Sequence, residues 1–208
     1  MTAIIDYGVG NLFSLQSSFR AIGEDAVVTA DPAVLAAADR IVLPGVGAFR
    51  DAADKLRASG LIPALESELA RGKPVLGICL GMQLLFDRSF EYGEHAGLGL
   101  IHGEIRSIAA DAPGLKVPHM GWNSLRFHQS GHPLFRYVSE GSYVYFVHSF
   151  YAVDCAESVI ASAEYGVGIP AAVGSGKLLG CQFHPEKSGE VGLNILRAFC
   201  EMGVDTPC

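Results

Sequence analysis

The sequence contains no run of lysine or arginine. Among its 208 residues, 15 Lys and Arg stand against 22 Asp and Glu, which gives a formal net charge of −7. Proteins that bind nucleic acid or an anionic membrane surface usually do so through clustered positive charge. We therefore expect neither a nucleic acid nor a membrane among its partners.

Long apolar runs are absent as well. No uncharged stretch approaches the roughly 20 apolar residues that a membrane-spanning helix needs. The chain begins MTAIID, which lacks the basic segment that opens a secretion signal. These two absences predict a cytoplasmic protein.

Cysteine is scarce, odd in number and free of Cys-x-x-Cys spacing, with residues at positions 79, 155, 181, 200 and 208. A disulfide framework or a zinc finger needs paired cysteines at short spacing. Cys181 and His184 are spaced like two metal ligands, but no second pair completes a tetrahedral site. We expect reduced thiols, no metal and no cofactor.

Short apolar runs alternate with amphipathic segments along much of the chain, and the second half is richer in strands. The pattern predicts strands over 3–5, 26–28, 40–43, 75–78, 143–148, 158–163 and 178–183, and helices over 11–22, 51–69 with a break near 60–63, and 189–199. Such alternation is typical of an α/β protein. We predict a single domain over residues 1–208, with an open, mixed but mostly parallel sheet flanked by helices.

The segment 74–86, PVLGICLGMQLLF, joins a predicted strand to a predicted helix in thirteen residues. Its apolar residues change from strand to helical spacing at Cys79. Gly77 and Gly81 flank this cysteine in the pattern Gly-x-Cys-x-Gly, which is the nucleophile elbow with a thiol in place of a hydroxyl. A sharp turn of this kind lifts the side chain clear of the sheet.

The elbow gives Cys79 chemical properties that an ordinary buried cysteine lacks. Backbone amides at the start of the following helix favour a thiolate over a thiol. The N–H of Leu80, the first after the cysteine, can point at an oxyanion on an attacked carbonyl group. A cysteine without such surroundings is usually inert, so the elbow carries the catalytic interpretation.

A second glycine-rich loop, PGVGAF at 44–49, follows the predicted strand 40–43. Successive N–H groups of Gly45, Val46 and Gly47 can bind an anion. In a parallel sheet, loops after neighbouring strands meet in one crevice, so this loop can lie beside Cys79. The alternative is a plain turn.

The tripeptide His184-Pro185-Glu186 follows the predicted strand 178–183. Proline biases His184 towards extended geometry, in which positions i and i+2 face the same side, so imidazole and carboxylate can meet. A carboxylate on one ring nitrogen fixes the tautomer, and the other nitrogen can then take the proton of Cys79. This arrangement makes His184 a candidate general base.

Together, the elbow and His184-Pro185-Glu186 resemble the triad of class I glutamine amidotransferases. Four further segments resemble the glutaminase subunits of imidazole glycerol phosphate synthase: DYGVGN at 6–11, PGVGAF at 44–49, HMGWN at 119–123 and QFHPEK at 182–187. The resemblance spans nearly the whole chain, and nothing after Phe199 is diagnostic. It implies a flavodoxin-like sheet.

The resemblance also implies an activity and a partner. Such a subunit hydrolyses L-glutamine to glutamate and ammonia through a thioester, with Cys79 as nucleophile, His184 moving the proton and Glu186 orienting His184. A separate (βα)8-barrel cyclase subunit, HisF, uses the ammonia in a heterodimer. The complex makes imidazole glycerol phosphate and AICAR in histidine biosynthesis.

Further positions carry over from the same resemblance. The oxyanion is held by the Leu80 N–H and by backbone of Gly45, Val46 and Gly47. Gln83, one helical turn after Cys79, binds the amino-acid end of the substrate, although a solvated helix residue is the alternative. The glutamine pocket is lined by Ser149 and by the backbone of Phe150, where the family often has an aromatic hydroxyl. The positions that face the cyclase are Asn11, Trp122, Tyr145 and Lys187.

Two other functions remain open from the sequence. One is a free-standing amidotransferase for another ammonia acceptor, such as the glutaminase of pyridoxal phosphate synthase. The other is a non-catalytic interaction subunit of flavodoxin-like fold, in which Cys79 is only a small buried residue. Likewise, Trp122 and Tyr145 can be core residues and Lys187 a solvated charge.

Overall fold

Strands and helices alternate through the first half of the chain in the computed structural model, which describes residues 1–203. Cys208 lies outside the described residues. The strands are β1 Thr2–Ile5, β2 Ala26–Thr29, β3 Arg40–Leu43, β4 Val75–Ile78, β5 Phe86–Ser89, β6 His95–Ala96, β7 Ile101–Ser107, β8 His119–Ser124, β9 Arg126–Phe127, β10 Tyr143–His148, β11 Phe150–Val153, β12 Val159–Glu164, β13 Gly168–Ser175 and β14 Leu178–Cys181.

The α-helices are short. They are α1 Leu12–Ala21, α2 Pro32–Ala37, α3 Phe49–Ala58, α4 Ile62–Ala70, α5 Leu80–Leu84, α6 Ile108–Asp111 and α7 Gly189–Cys200. Single 3-10 turns occur at Pro133–Phe135, Ala156–Ser158 and Pro185–Lys187. Within residues 1–203, no helix is both long and apolar enough to cross a membrane.

The main sheet has eight strands in the order β2-β1-β3-β4-β14-β13-β12-β9. Its first five strands are parallel and its last three antiparallel, which confirms the predicted mixed, mostly parallel sheet. Strand β4 lies between β3 and β14. Because parallel strands end at the same edge, the segments after these three strands meet there.

Both faces of this sheet are buried, as the near-continuous apolar strands require. In β1, Ala3 and Ile5 pack with α2, α3 and α4, whereas Ile4 points the other way and packs with α1 and α7. All three side chains are fully buried. Burying one such isoleucine contributes roughly 2 kcal/mol through the hydrophobic effect, so the two helix layers fix the sheet firmly.

Two smaller sheets extend the fold. Strands β8 and β10 form an antiparallel pair that sets Trp122 opposite Tyr145 and His119 opposite His148. Strands β11, β7, β5 and β6 form the other sheet. Of the predicted second-half strands, 143–148 is β10 in a small antiparallel sheet, whereas 158–163 and 178–183 correspond to β12 and β14 of the main sheet.

Several segments differ from the sequence prediction, and two of them have a clear physical reason. The helix after Cys79 ends at Leu84, and Phe86 begins β5, because the carbonyl oxygens of Leu84 and Leu85 accept hydrogen bonds from the N–H groups of Leu98 and Leu100, both at 2.8 Å. These bonds replace the next helical turn. Strand β13 was not predicted, since its sequence GIPAAVGS contains residues that are rare in strands.

Candidate active site

Cys79 occupies a strained backbone position between β4 and α5. Its φ of 53° and ψ of −110° lie in a region that residues other than glycine rarely adopt. The Cys79 N–H donates to the carbonyl oxygen of Cys181 at 2.7 Å, and the Cys79 carbonyl oxygen accepts from the Gln83 N–H at 3.1 Å. The sheet on one side and the helix on the other hold the turn in place.

The glycines of the elbow are required by close backbone contacts. A Cβ atom at Gly81 would lie 1.9 Å from the carbonyl oxygen of Leu43, and one at Gly77 would lie 2.8 Å from that of Gly81. A Cβ atom at Gly45 would lie 2.5 Å from the Gly81 nitrogen. The end of β3 therefore packs directly against the elbow, as the sequence predicted for this loop.

A residue near the start of the chain also stabilises the loop after β3. The hydroxyl of Tyr7 donates to the carbonyl oxygen of Pro44 at 2.7 Å. Burial raises the pKa of Tyr7, so the hydroxyl stays protonated as a donor. Val46 and Gly47 then continue into the cavity beside Cys79, whereas Gly45 stays buried behind the elbow.

His184 and Glu186 form a buried pair after β14. The Nδ1 atom of His184 lies 2.9 Å from Oε1 of Glu186, and the two side chains are 3% and 1% exposed. His184 itself is extended, but the chain then enters a 3-10 turn, so the predicted contact forms across the start of that turn. The His184 N–H donates to the Tyr145 carbonyl oxygen, and the Ser188 hydroxyl donates to that of His184.

The charge state of His184 depends on both neighbours. Burial lowers its pKa, but hydrogen bonds and negative charge from Cys79 and Glu186 outweigh that effect and raise the pKa to about 9. His184 is therefore an imidazolium at neutral pH. A protonated ring beside Cys79 favours negative charge on the sulfur atom.

Gln83 is buried and bonded inside the site, so the alternative of a solvated helix residue is wrong. Its side chain is 4% exposed. Both of its Nε2 hydrogens are used, one by the Phe150 carbonyl oxygen at 3.0 Å and one by Oε1 of Gln182 at 2.9 Å. The atom that Gln83 has left to offer a ligand is its own Oε1, an acceptor.

A cavity of about 420 Å³ opens beside these residues. This volume falls in the range of small-molecule sites. Among the residues that line it are Cys79, Leu80, Gln83, Ser149, Phe150 and His184. A larger cavity of about 830 Å³ beside the 3-10 turn at 156–158 contains none of these residues, so size alone does not mark the site.

Sequence reasoning missed one charged residue of this cavity. Glu91 lines it, and its Oε2 atom accepts the N–H of Phe49, the first residue of α3, at 2.7 Å. Burial raises the pKa of Glu91. The residue follows β5 in an irregular, glycine-rich stretch, and no local pattern marks it as a site residue.

Two buried histidines connect the cavity to strand β8. His148 lines the cavity, and its Nδ1 lies 2.8 Å from the Phe150 carbonyl oxygen, so this nitrogen carries the hydrogen. His148 Nε2 then accepts from Nδ1 of His119 at 3.0 Å, and His119 Nε2 accepts from Asn123 at 3.3 Å. Burial lowers the pKa of His148 to about 3 and that of His119 to about 4, which keeps both rings neutral.

Three of the residues expected to face a partner lie together. The rings of Trp122 and Tyr145 are 6.0 Å apart and nearly perpendicular, and the Lys187 Nζ lies 5.9 Å from the Tyr145 ring centroid. Trp122 is 55% exposed, so the core interpretation of this residue is wrong. Asn11 lies at the start of α1, as its N-cap residue.

No group of three or more His, Cys, Asp or Glu side chains within residues 1–203 is arranged to hold a metal ion. The site brings together a thiol on a strained backbone turn, an imidazolium, a buried carboxylate and nearby backbone amides. This set of groups is suited to covalent acyl transfer.

Comparison with known proteins agrees with the geometry. The model of the family Glutamine amidotransferase class-I matches residues 3–202, and the chain belongs to this family. The solved structure of PurLQS from Thermotoga maritima aligns with this chain over 96% of each of the two chains, with a TM-score of 0.74. At 17% identity, this similarity shows a shared fold.

Curated relatives define the group within the family. The imidazole glycerol phosphate synthase subunit HisH of Oceanobacillus iheyensis is 49% identical over 204 residues, covering 97% of this chain and 99% of the relative. The subunit of the same name from Geobacillus thermodenitrificans is 50% identical over 203 residues, covering 96% of this chain and 94% of the relative. Within the class-I family, the chain falls in the HisH group.

Proposed function

We propose that this chain is the glutamine amidotransferase subunit of an imidazole glycerol phosphate synthase and hydrolyses L-glutamine to glutamate and ammonia. The observation that carries the proposal is the meeting of Cys79, His184 and Glu186 at one edge of the sheet, where Cys79 and His184 face a single cavity. Relatives named as this subunit over nearly the full length support it further.

In the first half of the reaction, the Cys79 sulfur attacks the side-chain amide carbon of glutamine. A new S–C bond forms, and the carbonyl π electrons move to oxygen. His184, which holds the former thiol proton, gives it to the leaving nitrogen. The C–N bond then breaks, ammonia leaves, and a glutamyl thioester remains on Cys79.

In the second half, water attacks the thioester carbon and His184 takes a proton from that water. The tetrahedral intermediate expels the Cys79 sulfur, and glutamate is released. Glu186 keeps the ring of His184 oriented and stabilises its positive charge in both halves.

The oxyanion of each tetrahedral intermediate needs backbone donors close to Cys79. Leu80 is the first residue of α5, and an N–H at that position has no partner within its own helix. Val46 and Gly47 line the same cavity and supply the neighbouring backbone. Gly45 contributes by allowing the loop to approach the elbow.

The amino-acid end of glutamine carries an ammonium group and a carboxylate. The ammonium group fits the Gln83 Oε1 acceptor and the Glu91 carboxylate, which line the same cavity. Ser149 and Phe150 line the cavity too and provide backbone groups there. Selectivity for glutamine over a simple amide then rests on these groups.

Ammonia released by this subunit is consumed by a partner. We propose that the partner is a (βα)8-barrel cyclase subunit, HisF, that forms a heterodimer with this chain in the cytoplasm and makes imidazole glycerol phosphate and AICAR. The surface cluster of exposed Trp122 and Lys187 with half-buried Tyr145 suits the contact, since aromatic rings bury area at little entropic cost. Asn11, at the start of α1, is proposed to contribute as well. Nothing in the site favours a free-standing glutaminase or a non-catalytic subunit.

A covalent glutamine analogue tests the activity. The purified chain, with its cyclase subunit, would be treated with a diazoketone analogue of glutamine, and the modified peptide mapped. One label per chain on Cys79, prevented by excess L-glutamine but not by L-asparagine, is the expected result. Labelling elsewhere, or labelling that glutamine does not prevent, would refute the proposed function.

A further inference from the structure

Gln182 lies in the site, although no sequence motif assigned it a role in the chemistry. It follows β14 immediately, its side chain is fully buried, and its backbone N–H donates to the Ala171 carbonyl oxygen at 2.9 Å. Its side-chain Nε2 lies 3.7 Å from the Sγ atom of Cys79 and donates to it. The Sγ atom in turn donates to the Val147 carbonyl oxygen, which is farther away at 4.0 Å.

The orientation of the Gln182 amide is fixed by its neighbours. The Phe150 carbonyl oxygen can only accept, so the Gln83 atom that bonds it is the nitrogen. The same nitrogen donates to Gln182, so the Gln182 atom on that side is the oxygen. The Gln182 nitrogen therefore points at Cys79.

We propose that Gln182 is a catalytic residue, which stabilises the Cys79 thiolate by donating an amide hydrogen to the sulfur atom. The inference rests on the proposed role of Cys79 as nucleophile. It assigns a further protein group to the site, beyond the triad and the oxyanion donors.

Burial of the Gln182 side chain makes its hydrogen bond to the sulfur matter. A fully buried amide needs partners at both ends, and Gln182 finds one in Gln83 and the other in the Cys79 sulfur. A hydrogen bond to a charged acceptor is stronger than one to a neutral acceptor, so the donor favours the thiolate over the thiol. In the thioester the sulfur is uncharged and gains little from the donor. When the tetrahedral intermediate expels the thiolate, the Gln182 N–H again stabilises the negative charge that develops on the sulfur.

The chain of amides also connects the nucleophile to the substrate pocket. Gln83 orients Gln182 through its nitrogen and faces the cavity with its oxygen. A ligand that binds this oxygen thus contacts the group that orients the donor. Charge on Cys79 and occupation of the amino-acid end of the pocket are connected by two hydrogen bonds.

The Gln182→Met variant tests the inference because methionine has a similar volume and no N–H donor. The rate of Cys79 alkylation by iodoacetamide would be measured against pH, without glutamine. We expect the midpoint to rise by about one pH unit, a tenfold change in thiolate fraction, with kcat falling more than KM rises. Cys181→Ala, a packing change at the neighbouring position that removes no donor to the sulfur, is the matched control and should leave the midpoint in place.

A midpoint in Gln182→Met that equals the wild-type value would overturn the proposal. If that variant does not fold, NMR of the wild-type protein provides the test. The chemical shifts of the Gln182 side-chain amide hydrogens should change with pH at the alkylation midpoint, and they should not change there in Cys79→Ala. The alkylation profile requires no turnover. If the chain failed to hydrolyse glutamine, the proposed function would be refuted. The alkylation profile would still test the hydrogen bond from Gln182 to Cys79.

Discussion

Glu186 directs its Oε1 atom to Nδ1 of His184 at 2.9 Å, while its Oε2 atom is buried without a hydrogen-bond partner among the residues described. A buried carboxylate with one strong partner costs free energy to keep, and that cost falls if the partner is an imidazolium. The pair therefore holds His184 charged and fixes the direction of its other nitrogen. Its function is orientation and charge, not proton transfer.

Removing the histidine and weakening the carboxylate should have unequal effects. His184→Ala removes both acid and base, whereas Glu186→Gln keeps the shape and loses only the charge. We expect the loss of kcat in Glu186→Gln to be smaller by roughly two orders of magnitude. Steady-state glutaminase assays of the folded complexes measure this, and an equal or reversed ranking would contradict the roles assigned to the pair.

The cysteines should differ sharply in reactivity. Burial raises the pKa of Cys155 and Cys200 to about 11 and places that of Cys181 well above its usual range. Cys79 has a protonated His184 beside it. With limiting iodoacetamide at pH 7.5, we expect Cys79 to be alkylated at least about ten times faster than these three. Peptide mapping gives the rates; similar rates for all four would be the opposite outcome.

The buried histidine pair should make folding sensitive to acid. Since the pKa values of His119 and His148 are lowered in the folded state, their stabilising effect is complete above their unfolded pKa of 6.5 and is lost as pH falls towards about 4 and 3. Each adds a slope of at most about 1.4 kcal/mol per pH unit in that window. Urea unfolding between pH 7 and pH 5 measures the slope.

The variant His119→Asn isolates one of the two protons. Asparagine retains a polar group near Asn123 but does not titrate, so the free energy of unfolding should depend less steeply on pH than in the wild-type chain. A slope unchanged by this substitution would show that His119 is already protonated in the folded state near pH 5.

The surface cluster of Trp122, Tyr145 and Lys187 should be needed for partner binding. Trp122→Ala removes a ring that is 55% exposed, and a central aromatic residue of an interface is typically worth about 2 kcal/mol, or roughly thirtyfold in Kd. Lys187→Ala should weaken binding or release ammonia without product. Titration calorimetry with the cyclase subunit, and parallel assays of glutamate and product, measure both effects.

Tyr137 offers a matched control for that experiment. It is an exposed aromatic residue as well, but it bonds to Glu201 in a different cluster. Tyr137→Ala should bind the cyclase subunit like the wild-type chain. If Trp122→Ala and Lys187→Ala also bind normally and remain coupled, the interface lies elsewhere on the molecule.

The parts of the site that the sequence predicted are those set by local sterics. Gly77 and Gly81 must lack side chains because backbone atoms occupy that space, and the pattern around Cys79 records this requirement directly. The pairing of His184 with Glu186 is similarly local, only two residues apart. The alternation of apolar strands with amphipathic helices is also a local pattern, and it predicted the parallel half of the sheet.

The remainder depends on contacts that no short pattern encodes. Gln182 and Cys79 are separated by 103 positions and meet because β14 is the neighbour of β4. Glu91 reaches the cavity from an irregular loop and is held by the first amide of α3. Strand β13 contains Pro170 and Gly174, and its position between β12 and β14, not its composition, makes it a strand.

The most direct test is glutamate formation from L-glutamine by the chain in complex with its cyclase subunit, with wild type and Cys79→Ala compared at equal folded concentration. Alanine removes the sulfur and little volume, so circular dichroism and cyclase binding should remain as in the wild type. The account predicts steady glutamate release by the wild type and none above background by the variant. Comparable hydrolysis by folded Cys79→Ala would contradict the covalent mechanism.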